Sequence, residues 1–159
     1  KVKKKKFFFN TKAKNFPFQV LIFLIFIQII FGALVSGLDA GKIYQTWPLM
    51  GLNYVPNDLN INYIRDLIDL KNHSLVQFYH RNLAYIIIGL ILIIGLFIFT
   101  KKQKKLYRSY FYVLFFLFLQ VVLGIFTLTS GLNTYLASSH QICSVLLVFS
   151  TINLYYYIK

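Results

Sequence analysis

The chain has 159 residues, 58% of them hydrophobic and 19% aromatic, with a mean hydropathy of +0.64; that composition excludes a soluble globular domain and fits an integral membrane protein. Its formal charge is +13 at pH 7, yet the basic residues stand in blocks beside apolar runs, as topology signals do, and no stretch combines basic and aromatic residues in a water-soluble fold that would bind nucleic acid. The single cysteine, Cys143, lies inside an apolar run, which excludes an intrachain disulfide and leaves the redox compartment open.

Lys1 to Lys14 form a basic, Phe-containing leader with no apolar core, no small-residue cleavage site and no Arg/Ser-rich amphipathic pattern, so a signal peptide is not expected. Residues 1–16 read as a cytoplasmic or matrix-side leader, or as a linker between halves, and 17–159 as a bundle of four transmembrane helices. The first residue is Lys rather than Met and the last apolar run stops at Lys159, the pattern expected of a fragment or half of a longer chain. The Lys, Asn, Ile, Phe and Tyr bias, with no Glu, resembles translation of an A+T-rich genome, bacterial or organellar.

The first span is expected from Pro17, a residue suited to a helix start, to about Leu38, since a bilayer needs about 20 helical residues. A long loop follows, 39–76, with turn residues at Trp47-Pro48, Gly51, Val55-Pro56-Asn57-Asp58 and Lys71-Asn72. Ile61, Ile64, Leu67 and Ile68 recur at helical spacing, which predicts a short helix near Asn60 to Leu70 lying in the interface, with Arg65, Asp66 and Asp69 facing water. The second span runs from about Gln77 to Phe99 and the third from about Leu106 to Thr129. A tight turn at Ser130-Gly131-Leu132-Asn133 leads to the fourth, from about Thr134 to Ile158.

Four spans put both termini and the 100–108 loop on one side. That side holds the Lys1 to Lys14 block, the Lys101 to Arg108 block and Lys159, and hence the whole net charge of +13. The other side holds Lys42, Arg65, Lys71 and Arg81 against Asp39, Asp58, Asp66 and Asp69 and is neutral. The positive-inside rule therefore places the termini in the cytoplasm or matrix and the 39–76 loop outside. Expected locations are a bacterial inner membrane or the mitochondrial inner membrane.

A weak repeat runs through the chain. Gln28-Ile-Ile-Phe-Gly32 matches Gln120-Val-Val-Leu-Gly124, and Ser36-Gly37-Leu38 echoes Ser130-Gly131-Leu132 with a slip of one residue. The spans thus form two tandem αα-hairpins, as parallel repeats do, the first with the long insertion. His80 and His140 stand near the starts of spans two and four, at similar depth. Ionisable groups inside a bundle usually mark function. Without a third His, Cys or carboxylate at that depth the pair makes a poor zinc site, but a good axial pair for haem iron, whose other positions the porphyrin fills. Ala84 beside His80, and Ala137 and Ser144 beside His140, leave space for a flat macrocycle. Arg81 is either a partner for haem propionates or a snorkelling interfacial anchor. Gly32, Ser36, Gly37 and Gly124 read as sites of close helix approach. His73 reads as a solvated loop residue, Cys143 as a small packing residue, Asp39 as a cap after span one, and Trp47 with the tyrosines as an aromatic belt.

The segments Gly37-Leu38-Asp39-Ala40-Gly41, Tyr44 to Gly51, Val55 to Leu59, Val76-Gln77-Phe78-Tyr79-His80-Arg81 and Ala137-Ser138-Ser139-His140-Gln141 closely resemble, in order, the C-terminal half of the haem A synthase family. Lacking a cysteine pair in the loop, the chain looks more like the alphaproteobacterial and mitochondrial branch. The resemblance implies an eight-span protein of two four-span bundles, the N-terminal one oxidising a methyl group of haem O to the formyl group of haem A and the C-terminal one holding a haem b. His80 and His140 match the haem b ligands. The sister half carries a catalytic Glu three residues before its His-Arg pair; here that place is Gln77, so no catalytic residue is expected in this chain. The partners this implies are the N-terminal half, on the same or a separate chain, with haem O synthase, an electron-transfer partner, the lipid bilayer and a second copy of the chain as further expectations. Two other readings stay open: a bis-His cytochrome b acting alone in electron transfer, and an assembly subunit without haem.

Overall fold

The computed structural model describes residues 15–59 and 63–158. The leader over 1–14, Ile61 of the expected loop helix and Lys159 lie outside them. Four helices are long and apolar enough to cross a membrane: α1 (Phe16–Gly37), α2 (His73–Thr100), α3 (Lys104–Thr129) and α4 (Thr134–Ile158). The protein is therefore an all-helical, multi-pass membrane protein, as its composition requires.

The helix ends follow from local chemistry. Pro17 sits in the first turn of α1, where its missing N–H costs nothing. Asn72 caps α2, its side chain accepting from the Leu75 N–H at 3.1 Å, which starts this helix at His73 rather than at Gln77 as hydropathy suggested. Asn133 caps α4 in the same way, accepting from the Tyr135 and Leu136 amides at 3.0 and 3.3 Å. α3 closes with Gly131 at φ 73°, the Leu132 N–H reaching the Thr127 carbonyl at 2.9 Å. α2 ends in the same bonding pattern with Lys102 at φ 50° in place of glycine, and Gln103 N–H on the Ile98 carbonyl at 3.0 Å.

α1 pairs with α2 and α3 with α4, as two hairpins, and the hairpins meet along α1–α4 and α2–α3. In a bilayer, apolar burial between helices gains little over lipid, so close packing and interhelical hydrogen bonds hold the bundle. Gln19 donates to the Tyr155 hydroxyl (3.0 Å), Tyr110 to the Ile91 carbonyl (3.1 Å) and Ser109 to Asn153 (3.2 Å), each contributing about 0.6 kcal/mol by analogy with measured cases. The Tyr110 hydroxyl occupies the place a side chain at Gly95 would need, so α2 and α3 touch there backbone to ring.

The core is lopsided. Phe18, Leu21, Ile22 and Ile25 of α1 pack with Ile87 to Ile98 of α2, Leu106 to Val113 of α3 and Leu147 to Ile158 of α4, all at the end of the bundle near the termini. Toward the other end, no side chain is buried after Ile25 in α1, after Val113 in α3 or before Cys143 in α4. The dense end clamps the helices; at the end carrying both histidines the buried residues include Ser74 to Gln77 in the first turns of α2 and Ala40 and Met50 of the loop.

Over that end lies the 39–72 loop. Its entrance is a 3₁₀ turn at Ala40–Lys42, where Gly41 packs against Leu132 of the α3–α4 turn so closely that a Cβ would meet that side chain at 2.8 Å. The expected helix near 60–70 is a 3₁₀ turn of five residues, Ile64–Ile68. Ile64 and Ile68 are 82% and 72% exposed, so no protein surface is present to extend it. Arg65 is exposed and Asp66 partly so, the latter accepting from the Tyr63 N–H at 3.0 Å.

Candidate functional site

Each histidine is held by the first helix of its own hairpin, and both are held alike. In the first hairpin, the Gln28 amide Nε2 of α1 lies 3.4 Å from Nε2 of His80 in α2 and donates to the His80 carbonyl at 3.0 Å. In the second, the Gln120 amide Nε2 of α3 lies 3.2 Å from Nε2 of His140 in α4. One turn beyond each glutamine is a glycine with an imidazole laid against it: a Cβ at Gly32 would meet Cε1 of His80 at 3.2 Å, and one at Gly124 would meet Cε1 of His140 at 3.0 Å. The sequence repeat Gln-x-x-x-Gly is therefore a cradle for a ring from the facing helix. The two cradles belong to hairpins that meet along α1–α4 and α2–α3.

The polar atoms at this place are not all satisfied. Nδ1 of His80, Nδ1 of His140 and Oε1 of both Gln28 and Gln120 are buried without a hydrogen-bond partner in the protein. Buried polar atoms of that kind cost free energy, typically about 1–3 kcal/mol each, and call for an explanation. Among the described residues no group of three or more His, Cys, Asp or Glu side chains converges. A metal held by this pair takes its other ligands from something other than the protein, as a porphyrin iron does. Two imidazoles, one from each hairpin, are the donor set that a haem iron would take.

Arg81, next to His80, points to the loop. Its guanidinium donates to the carbonyls of Tyr44 (3.0 Å) and Leu49 (3.2 Å). Gln77, one turn earlier, donates to the same Tyr44 carbonyl at 2.8 Å. The Tyr44 hydroxyl donates to Asp58 at 2.6 Å, and Ser74 at the start of α2 donates to the other carboxylate oxygen at 2.5 Å. Burial would push the Asp58 carboxyl up, but these two donors outweigh it and hold the group below its ordinary value, while the bond to Asp58 pushes the Tyr44 phenol up. Four side chains of the loop and the first turns of α2 thus latch the Tyr44-to-Leu49 strap across the histidine end. Within the strap, Thr46 donates to the Leu49 carbonyl and accepts from the Gly51 N–H, both at 2.9 Å, and Gly51 takes φ 73°.

The remaining candidates are ordinary. His73 is exposed at the first position of α2, Cys143 is buried with its Sγ 3.6 Å from the Phe116 carbonyl, and Asp39 pairs with Lys42 at 2.9 Å on an exposed surface, where such a pair contributes little. Asp39 also takes φ 55° at the turn after α1. Ala84, Ala137 and Ser144 are all partly exposed. Sequence reasoning singled out both histidines and registered both glutamines as a repeat, but did not connect glutamine to imidazole, nor Tyr44 to Asp58.

The chain is 39% identical over 145 residues to the heme A synthase of Pelagibacter ubique, 36% over 150 residues to that of Wolbachia pipientis and 32% over 140 residues to that of Rickettsia felis. These alignments cover 89%, 94% and 88% of this chain and 42%, 40% and 41% of the relatives. The chain thus spans about two fifths of the length of the curated relatives it matches. No solved structure matches it. The family model for the COX15-CtaA cytochrome oxidase assembly protein matches residues 6–152. The chain belongs to that family.

Proposed function

We propose that this chain is the haem b-binding half of haem A synthase, with His80 and His140 as the two axial ligands and Arg81 at the propionate edge. The observation that carries the reading is the matched pair of imidazoles, one per hairpin, each laid against the glycine of a Gln-x-x-x-Gly repeat on the facing helix. Bound there, a haem supplies one-electron transfer, or structural support, for oxidation of the haem O methyl group to the formyl of haem A in a partner N-terminal half. The chain's own residues bind and orient: the cradles aim the rings, and the strap held by Gln77 and Arg81 closes the outer end against water. Arg81, whose guanidinium donates to the Tyr44 and Leu49 carbonyls beside His80, is the cation that would meet a propionate.

Gln77 argues against independent catalysis. An amide carries no proton to exchange in the neutral range, and this one is engaged with the Tyr44 carbonyl. We place the chain in a bacterial inner or mitochondrial inner membrane, with its termini on the basic side. The test is pyridine haemochrome analysis of the purified protein beside His80→Ala and His140→Ala. Wild type is expected to give haem b with a bis-imidazole spectrum and each variant to lose most of it; unchanged haem content in both would end the assignment.

A further inference from the structure

The 3₁₀ turn at Ile64–Ile68 carries an apolar surface that the described residues leave uncovered: Ile64 and Ile68 are largely exposed, and Leu67 and the preceding Tyr63 are exposed as well. With three residues per turn, Ile64 shares one side with Leu67, Ile68 shares the next with Arg65, and Asp66 takes the third. The turn is fastened all the same. The Tyr79 hydroxyl of α2 donates to the Leu67 carbonyl at 2.7 Å, and Asp66 accepts from the Tyr63 N–H at 3.0 Å. Arg65 lies 4.8 Å from the centroid of the Tyr63 ring, so its stem lies along apolar surface while its charged head stays free to reach water.

Tyr79 gives the turn a definite depth. About 20 helical residues cross the hydrocarbon, and counting them back from Thr100, the last residue of α2, puts its edge near His80. Side chains on a helix lean toward its N-terminus, so the Tyr79 hydroxyl and the turn it holds lie just outside that edge, at the level of the headgroups. Below Tyr79, Ile86 and Ile93 follow at seven-residue spacing on the same side of α2, both exposed, as residues of a span that meet lipid are. The turn therefore extends a lipid-facing surface. Its charge is balanced, Arg65 and Lys71 against Asp66 and Asp69, which gives no attraction to an anionic partner and suits an interface entered by apolar side chains beside a tyrosine.

We propose that Ile64, Leu67 and Ile68 dock the loop on the lipid surface at the histidine end as a short apolar wedge, with Tyr79 as the tether that sets its depth. The loop is then fixed twice, to α2 through the strap and to the bilayer through this turn. The test uses the whole chain reconstituted in phosphatidylcholine vesicles, with single spin labels on Ile64→Cys and Ile68→Cys in a Cys143→Ser background. Collision rates with oxygen and with a water-soluble nickel chelate give the depth of each label, calibrated by phospholipids labelled along the acyl chain. Both labels are expected about 5–10 Å into the boundary between headgroups and acyl chains. Tyr79→Phe, which removes the donor to Leu67, is expected to at least double the chelate collision rate at both. Chelate collisions as frequent as for a label free in water would overturn the docking. Exclusion of both oxygen and chelate would overturn it too, since that marks a protein surface over the turn. Rates unchanged by Tyr79→Phe would strike out the tether.

Discussion

Gly124 and Gly32 set the tolerance of the site at the level of single atoms. A methyl group at 124 would lie 3.0 Å from Cε1 and 3.4 Å from Nδ1 of His140, and one at 32 would lie 3.2 Å from Cε1 of His80. Both imidazoles must give by a few tenths of an ångström, and each already has its amide on the next turn. Overpacking of this type costs about 1–3 kcal/mol. Gly89, in the middle of α2, has nothing within 4 Å of the same methyl, so alanine there gains about 1 kcal/mol of helix propensity with no steric charge against it. Thermal unfolding of the haem-loaded protein in detergent is therefore expected to rank Gly124→Ala below Gly32→Ala, both below wild type, and Gly89→Ala at or above it. A Gly124→Ala protein as stable as Gly89→Ala, with an unchanged Soret band, would show that the ring is free to move. The spacing Gln-x-x-x-Gly is visible in the sequence, but spacing identifies only which residues share a helix face. Which ring from another helix lies on that face depends on how two helices cross, and that is a property of the packed hairpin.

The loop behaves as an element with its own fastening. Asp58 is the acceptor at its centre, and its folded-state carboxyl titrates below the ordinary value of 3.8. A depressed value means that the contribution of the latch is complete above the ordinary value and is lost as pH falls through the lower, folded one. The Tyr44 phenol is raised above 10.0, so its contribution is complete below that value and lost as pH rises past the raised one. The strap is therefore expected to stay fixed between about pH 5 and 9 and to loosen at both extremes. A spin label on Leu52→Cys, at a position 89% exposed, in a Cys143→Ser background reads this directly. Its line shape is expected to stay constant through the neutral range and to sharpen on strong acidification, whereas with Asp58→Asn it is already sharp at neutral pH. A label equally immobile in Asp58→Asn would remove Asp58 from the latch. Of the elements, the spans were legible because about 20 apolar residues in a row have few other uses. The Asn133 and Gly131 ends were legible as a turn, since cap and left-handed residues sit where the hydropathy drops. The Asn72 cap was not, because polar His73 and Ser74 lower the hydropathy of a turn that is nevertheless helical. Nor was the shortness of the 64–68 turn: Ile64, Leu67 and Ile68 have helical spacing, but a periodic pattern needs a surface to lie on before it nucleates a longer helix.

At the scale of the molecule, the apolar core of the four helices gathers at one end and the loop with both histidines at the other, and charge follows the same division. The starts of α2 and α4 are the more polar ends of those helices, but polarity alone does not say how helices pack, so the uneven core could not be foreseen. The depth of the two histidines could be, because both stand near the start of an even-numbered span. The described structure puts the starts of α2 and α4 together with the loop, as the Gly41–Leu132 contact requires, and puts the Lys101–Lys105 turn at the opposite end. Among the described residues the loop end carries Lys42, Arg65, Lys71 and Arg81 with Asp39, Asp58, Asp66 and Asp69, while Lys101, Lys102, Lys104, Lys105 and Arg108 lie at the other end with no acidic residue. Moving a lysine across the membrane against its potential would cost about 2.3 kcal/mol per charge at about 100 mV, so a basic side is retained and orients the bundle as it inserts. Native labelling background is low, since the single cysteine is 5% exposed. In intact bacterial cells expressing the chain, Leu52→Cys is thus expected to react with a membrane-impermeant maleimide at once, and Lys102→Cys only after the membrane is opened. The reverse order would place the histidine end, and the strap over it, on the cytoplasmic side.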